Sequence, residues 1–197
     1  YMDRQPESPT LIQHLASAFK GAMRGAALDL PGTSKAQIGR LIWVEGERVG
    51  IFGVPKIICS VVRCADIKRT PDIRSRVILP EWACNVTVSF SLPLLREQSV
   101  VNLFASAGIT QGIGDWRPEK GSGTYGQFVI VSLDDEKFKY LTEHCGREVQ
   151  ISAMRDPEPY DDETEEMLSW FDAETNRKGF SVSPRHMEDL IPSSARN

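Results

Sequence analysis

Apolar and polar residues alternate most regularly in the middle of the chain, over residues 82–92. Six apolar side chains occupy every second position there, from Trp82 to Leu92, and the residues between them are small or polar. A period of two over this length predicts a strand with one buried face and one open polar face. Shorter apolar stretches predict a hairpin at 41–54 and strands at 57–63, 128–131 and 148–153.

Helical spacing occurs in three segments, at 11–28, 96–107 and 135–144. In the first of them, apolar residues recur every three or four positions between Leu11 and Ala26. Such a helix buries one face and exposes the other. Helices between strands predict an α+β protein of ferredoxin-like architecture. In that architecture an antiparallel sheet carries its helices on one face.

The chain has 197 residues, of which 41% are hydrophobic. That fraction excludes a wholly disordered chain, and the length suits one domain with an appendage. We expect the domain at 1–154 and an acidic C-terminal tail with a short amphipathic segment at 155–197. No apolar stretch approaches the roughly 20 residues that span a bilayer. No secretory signal is visible either, so we expect a cytoplasmic protein without membrane contact.

Charge is distributed unevenly, although the net charge is only -4. Residues 1–132 hold 15 Lys and Arg against 11 Asp and Glu, whereas residues 133–197 hold 8 against 16. A mildly basic body is therefore joined to an acidic tail, whose carboxylates crowd between Asp156 and Glu166. We expect this tail to be solvated and mobile. The alternative is a nucleic-acid mimic that covers the basic surface until a strand displaces it.

Basic residues concentrate in two places within the body. Lys20 and Arg24 are four residues apart and share one face of the first predicted helix. Residues 63–76 form a predicted polar loop or long hairpin, and the cations in it are Arg63, Lys68, Arg69, Arg74 and Arg76. Such cations can follow the phosphate backbone of a nucleic acid. A solvated helix face and a salt-bridged surface hairpin are the alternatives.

A glycine-rich segment at 112–126 is the third candidate. Glycines let a backbone approach a ligand closely and present N–H groups to an anion. The segment also carries cations for phosphates and aromatic rings on which bases can stack. Its candidate binding residues are Gly112, Gly114, Trp116, Arg117, Lys120, Tyr125 and Gly126. The alternative is a surface loop whose glycines and prolines only form turns. A dinucleotide site fits poorly, because this segment leads from a helix to a strand.

Signatures of catalysis and metal binding are sparse. The four cysteines form no C-x-x-C pair, and the three histidines lack the spacing of metal ligands. We therefore expect no metal and no cofactor. No Ser-His-Asp or Cys-His arrangement has a local signature, and we expect a protein that is not an enzyme. His14 and His144 are the candidates for a general base. The carboxylates Asp115 and Glu119 are most simply ion-pair partners of neighbouring cations.

Two segments carry a family resemblance. Residues 17–24 read Ser-Ala-Phe-Lys-Gly-Ala-Met-Arg, and Gly-Ile-Gly at 112–114 is followed by Tyr-Gly-Gln-Phe at 125–128. In this order they resemble the first helix and the glycine-rich loop of the RAMP (repeat-associated mysterious protein) superfamily, the RRM-like backbone subunits of CRISPR effector complexes. Stretches between 72 and 118 also resemble a related uncharacterised family from tailed phages. The loop is longer here, and the strand before the first helix is missing or shortened.

The resemblance implies an RRM-like sheet, with Ser17, Lys20 and Arg24 near an RNA backbone, a glycine-rich loop, and a protruding basic hairpin at 63–76 that lies across a guide RNA. It implies a homo-oligomer or filament along the strand, in a complex that other subunits can join. We therefore expect a backbone subunit that binds single-stranded nucleic acid, RNA in preference to DNA, in a bacterial or phage-infected cell. The alternatives are a phage protein that binds or anneals single-stranded DNA, a RAMP-type RNA-processing endonuclease with a histidine near the glycine loop, and a structural phage component.

Overall fold

The computed structural model describes residues 1–28, 34–63, 69–121 and 123–179. These residues form an α+β protein, in agreement with the sequence prediction. The chain falls into two compact units. Unit 1 comprises Tyr1, Gln13–Ile51 and Cys84–Lys139, and unit 2 comprises Met2–Ile12, Phe52–Ala83 and the described residues from Tyr140 on. The division does not follow the expected boundary after residue 154.

The elements follow one another in this order: β1 (Gln13–Leu15), α1 (Ala16–Ala26), α2 (Lys35–Leu41), β2 (Ile42–Val44), β3 (Arg48–Gly50), β4 (Lys56–Arg63), β5 (Pro71–Ile78), β6 (Val88–Phe90), α3 (Glu97–Thr110), α4 (Glu136–His144), α5 (Arg147–Arg155) and α6 (Asp162–Arg177). The described strands form three antiparallel pairs, β1 with β3, β2 with β6 and β4 with β5. A single ferredoxin-like sheet is therefore not confirmed.

The core of unit 1 lies among α1, α2 and α3. Phe19, Met23 and Ala26 are buried on one face of α1, and Ile38 of α2 and Leu103 of α3 are buried with them. Because the buried positions of α1 recur every three or four residues, the opposite face of this helix is left to solvent. The binding candidates of α1 lie on that open face.

Unit 2 is built on the β4–β5 hairpin. The strand predicted at 57–63 is present as β4, and its partner β5 lies partly within the loop or hairpin predicted at 63–76. All eight residues of β4 pair with β5, from Lys56 opposite Ile78 to Arg63 opposite Pro71. The outer edge of β4 is covered by the segment that follows α5. The N–H of Ile57 donates to the carbonyl of Glu158 at 2.9 Å. The carbonyl of Ile57 accepts the N–H of Tyr160 at 2.8 Å, so both backbone groups of Ile57 are bonded at this edge without a further strand.

The strongest strand prediction, 82–92, is wrong over most of its length. Only Val88–Phe90 forms a strand, and Ala83 makes an isolated bridge to Phe52. The alternation of burial is nevertheless present between Cys84 and Val88, where inner residues are half-buried and outer residues exposed. Burial raises the pKa of the Cys84 thiol to about 12. The side chains therefore follow the predicted alternation of burial. A strand also requires a continuous partner backbone, and in this segment β6 has one in β2.

Three further strand predictions need correction. Residues 148–153 belong to the helix α5, and residues 128–131 form neither helix nor strand. The predicted hairpin at 41–54 does contain β2 and β3, with Gly46 at a φ of +76° between them. These two strands do not pair with each other, because β2 pairs with β6 and β3 pairs with β1.

The helix predictions are closer to the structure. The helix predicted from residue 11 begins at Ala16, because residues 13–15 pair with β3 as β1. The helix predicted to stop at Gly108 continues to Thr110. The prediction of a solvated, mobile tail is wrong for 162–177, which form α6. Its Thr164 is buried and its hydroxyl accepts the N–H of Cys59 at 3.0 Å.

Candidate nucleic-acid interface

The exposed face of α1 carries three of the predicted binding residues. Ser17 and Arg24 are exposed and Lys20 is half-buried, whereas the opposite face is packed into the core. Within the part of the chain that the structure describes, neither Lys20 nor Arg24 forms an ion pair. The α1 helix therefore presents two positive charges whose counter-charge is not supplied by described carboxylates.

Lys20 lies beside an aromatic residue that the sequence analysis missed. Its ammonium group is 5.9 Å from the ring centroid of Trp43 in β2. Trp43 is 47% exposed, while its neighbour Ile42 is fully buried. The in–out alternation of a strand at 42–44 could have identified Trp43 as an outward residue, since Ile42 and Trp43 point to opposite faces. A cation above a tryptophan ring is a favourable arrangement in itself.

Arg24 lies against the neighbouring helix α2. A Cβ atom at Gly39 would be 3.2 Å from the guanidinium Nε of Arg24, so the absence of a side chain at Gly39 leaves room for the arginine. The position of Arg24 is therefore set by packing on α2, and its charge is directed to the surface of unit 1.

The glycine-rich segment folds back on itself. The N–H of Ile113 donates to the carbonyl of Gly126 at 2.9 Å, and the N–H of Tyr125 donates to the carbonyl of Trp116 at 3.1 Å. Gly126 has a φ of +70°, and a Cβ there would collide with the carbonyl of Ile113. Only glycine meets both requirements. The N–H of Gly112 is already bonded to the carbonyl of Ala107 at 2.9 Å.

Arg117 holds this segment together. Its Nη1 donates to the carbonyl of Gly114 at 2.7 Å, and its Nε donates to a carboxylate oxygen of Glu119 at 2.8 Å. The hydrogen bond from Arg117 lowers the pKa of Glu119, and the nearby Lys120 and Lys35 act in the same direction. The charge of Arg117 is therefore largely compensated. Lys120 is the exposed cation of the segment.

Two aromatic rings of the segment lie on the surface. Trp116 and Tyr125 are stacked, with ring centroids 6.5 Å apart and an interplanar angle of 27°. Both are exposed, and Trp116 has an unusual φ of +55° for a residue with a side chain. The backbone bond between the two residues, described above, holds the rings side by side. An exposed, nearly parallel pair of this kind can extend its stack onto a base.

Contacts within unit 1 bring α1, α2 and the glycine-rich segment together. The side-chain amide of Gln111, just after α3, contacts Gly25 of α1. The carbonyl of Gln111 accepts the N–H of Glu119 at 3.3 Å, and Lys35 at the start of α2 acts electrostatically on the same glutamate. Two of the three predicted binding segments thus share one neighbourhood.

The third segment, the basic hairpin, belongs to unit 2. Arg74 is paired with Asp72 at 3.4 Å, and Nη1 of Arg76 donates to Ser60 at 3.3 Å. Arg63 and Arg69 are exposed, and Lys68 lies outside the described residues. The cations of the three predicted binding segments are therefore divided between two units. Part of the hairpin's positive charge is also used within the hairpin.

The two candidates for a general base, His14 and His144, lie in different units. His144 of unit 2 stacks on Tyr140, with ring centroids 5.1 Å apart. His14 of unit 1 packs edge-on against Phe19 at 6.2 Å. Burial lowers the pKa of His14, and the N-terminal ammonium and Arg117 lower it further, whereas its contact with the Leu15 carbonyl opposes them. These effects favour the neutral form of the His14 imidazole.

Neither a metal-type cluster nor a membrane-spanning helix is present in the described ranges. Among residues 1–28, 34–63, 69–121 and 123–179, no three His, Cys, Asp or Glu side chains form a cluster suited to a metal ion. No helix in those ranges combines the length and apolarity that crossing a bilayer requires. Comparison with protein-family models, curated proteins and solved structures finds no match to this chain.

Proposed function

We propose that this chain is a non-enzymatic protein that binds single-stranded nucleic acid, with RNA preferred, as a RAMP-type backbone subunit of a cytoplasmic CRISPR-like ribonucleoprotein. The observation that carries the proposal is the open face of α1. It presents Lys20 and Arg24 without described ion-pair partners, and it places Lys20 beside the exposed ring of Trp43. Unpaired cations beside exposed aromatic rings are the usual components of a single-strand site.

The spacing of these groups suits one strand. Residues four apart in a helix are separated by about 6 Å along its axis, so Lys20 and Arg24 can contact neighbouring phosphates. Trp43 offers a face for a base, and Trp116 with Tyr125 offers a second. Stacking on such rings contributes about 1–3 kcal/mol per base and tolerates any sequence. The strand would therefore be held by phosphate contacts and stacking, with little selection of sequence.

The order of strands and helices in unit 1 supports the RRM-like part of the proposal. In unit 1, β1 leads directly into α1 and β6 leads into α3, and both helices bury residues in one hydrophobic core. A short strand thus precedes the helix that carries the motif of residues 17–24. Two strand–helix repeats whose helices pack side by side are a feature of ferredoxin-like proteins.

The direct test is the double substitution Lys20→Ala and Arg24→Ala. Binding of a fluorescein-labelled single-stranded RNA is measured by anisotropy over a series of salt concentrations. We expect affinity to fall several-fold. The negative slope of log K against log salt should become shallower by about 1.4, since each of the two lost phosphate contacts on a single strand contributes roughly 0.7.

The matched control is Arg177→Ala with Lys178→Ala, which removes the same charge from α6. Both of those cations are paired with Glu174, so we expect their removal to leave the salt slope unchanged. Equal losses in the two variants would show a nonspecific charge effect and would contradict the proposed interface. Competition with single-stranded DNA of the same sequence separates RNA binding from the phage DNA-binding alternative.

A RAMP-type RNA-processing endonuclease is the second candidate, favoured by one observation. Burial of His14, followed by the charges of the N-terminus and of Arg117 in the glycine-rich segment, lowers the pKa of this histidine and favours its neutral form. A neutral imidazole is the form that can accept a proton from a ribose hydroxyl. Under this candidate, RNA cleavage persists in EDTA and is lost in His14→Ala but retained in His144→Ala. Wild-type protein that binds RNA without cutting it would reject the candidate.

A further inference from the structure

A short apolar segment of unit 1 lacks the partner that its composition requires. Residues 129–131 read Val-Ile-Val and lie outside every helix and strand of the described chain. Val129 is 73% exposed, Ile130 and Val131 are each 44% exposed, and the nearby Leu133 is 72% exposed. No hydrogen bond joins the backbone groups of 129–131 to any other part of the chain that the structure describes.

The segment is nevertheless held at its start. The N–H of Phe128 donates to the carbonyl of Gly108 at 3.1 Å, and the side chain of Gln127 donates to the carbonyl of Ile109 at 2.9 Å. The Phe128 ring packs on Phe104 with centroids 5.1 Å apart. The core of unit 1 therefore fixes one end of the segment and presents the next residues to solvent.

Physical chemistry favours a strand partner for these residues. β-branched side chains favour strands, and unpaired backbone groups beside apolar side chains are a template for pairing with another chain. Contiguous exposed apolar residues mark interaction sites in soluble proteins. The sequence predicts a strand at 128–131, and the described chain lacks only the neighbour that would complete it.

The sequence of the segment favours a second copy of this chain as that neighbour. Residues 121–133 contain no charged residue, so two copies meet without repulsion. Antiparallel pairing about Ile130 places Val129 opposite Val131 of the partner subunit, a favourable pair of β-branched side chains. The open edge of β5 behaves differently. Pairing that edge with itself about Ser75 would place Arg74 opposite Arg76 of the partner subunit.

We propose that residues 129–131 pair with the same residues of a second copy, forming an antiparallel two-stranded ladder and a dimer with two-fold symmetry. Such an interface uses the same surface on both subunits and closes at two copies. It does not depend on nucleic acid, and it differs from the head-to-tail contacts of a filament. The free backbone groups become bonded, and Val129 packs against Val131 of the partner subunit.

Sedimentation velocity of nuclease-treated protein tests the dimer. We expect the wild-type protein to be dimeric at micromolar concentration and Val129→Lys with Val131→Lys to be monomeric, with an unchanged circular dichroism spectrum. The control is Val61→Lys with Ile73→Lys, a cross-strand pair of β-branched residues on the hairpin that is similarly exposed. A monomeric wild-type protein, or a lysine variant at 129 and 131 that stays dimeric, would overturn the proposal.

Disulfide formation tests the register. In the proposed ladder, Ile130 lies opposite itself at a Cα separation of about 4.5–5.5 Å, within the range of a disulfide. Val129 lies diagonally from its own copy at about 7–8 Å, which is too far. We expect Ile130→Cys to form a covalent dimer on mild oxidation and Val129→Cys to remain at the wild-type level. Equal cross-linking of both variants, or none at Ile130→Cys, would contradict this register.

Discussion

At the scale of single residues, one buried amide joins three distant stretches of unit 2. Oε1 of Gln150 accepts the N–H groups of Leu11 and Ile12 at 2.8 and 3.0 Å. Its Nε2 donates to the carbonyls of Gly53 and Cys145 at 3.2 and 3.4 Å. The side chain is fully buried and every polar atom is satisfied, which is the condition for a stabilising buried polar group.

We predict that Gln150→Leu destabilises the protein by about 2–4 kcal/mol, because it leaves several buried backbone groups without partners at roughly 1–3 kcal/mol each. The free energy of unfolding is measured by urea denaturation. Gln98→Leu is the control, since Gln98 is exposed and bonds only to Asn102 within α3. If Gln150→Leu lowers the free energy of unfolding no more than the control does, water replaces the amide of Gln150.

At the scale of elements, α6 is ordered because it caps its own start and covers β4. Oδ1 of Asp161 accepts the N–H of Thr164 at 2.9 Å, and these interactions with Thr164 lower the pKa of Asp161. Acidic residues crowd the first turn, where they complement the helix dipole. The carboxylates that suggest a solvated tail from composition are thus placed where a helix tolerates them best.

We predict that Thr164→Val loosens α6 from β4. The substitution keeps the shape of the side chain but leaves the N–H of the buried Cys59 without an acceptor, at a cost of about 1–3 kcal/mol. Hydrogen exchange should accelerate across 162–177 and 57–60. Thr175→Val is the control, because its hydroxyl bonds within α6 to the carbonyl of Asp172. Unchanged exchange at Cys59 would contradict a role for Thr164 in docking.

Helices were easier to predict than strands, because the buried face of a helix follows from the spacing of residues that are close in the chain. The helices α1 and α3 have such faces, and both were predicted within a few residues. Gly108 interrupts α3 in sequence but not in structure. A Cβ there would collide with the backbone of Phe128, so this glycine serves a close approach instead of a helix stop.

At the scale of the whole molecule, the acidic helix α6 and the basic hairpin belong to one unit. The acidic helix α6 packs on β4, the first strand of the basic hairpin. Its carboxylates therefore belong to the same unit as Arg63 and Arg74. The electric field of exposed carboxylates acts over roughly a Debye length, about 10 Å at 0.1 M salt. The acidic segment can thus weaken phosphate binding by the hairpin without touching the nucleic acid.

We predict that Glu165→Gln with Glu166→Gln, two exposed residues of α6, tightens binding of single-stranded RNA about two- to five-fold at low salt. The difference should vanish at high salt, because screening removes both attraction and repulsion. Anisotropy titrations at two salt concentrations measure it. A tightening that persists at high salt would indicate a changed contact, and no change at low salt would dismiss electrostatic screening by α6.

The sequence by itself determined the α+β class, the buried faces of α1 and α3, the strand β4 and the face of α1 that carries Lys20 and Arg24. Each depends on residues close in the chain, whose periodicity is visible directly. Tertiary structure decided the partners of β2 and β3, the helical state of 148–153 and the placement of Trp43 beside Lys20. These depend on contacts between distant residues, because a strand exists only where a second backbone completes its hydrogen bonds.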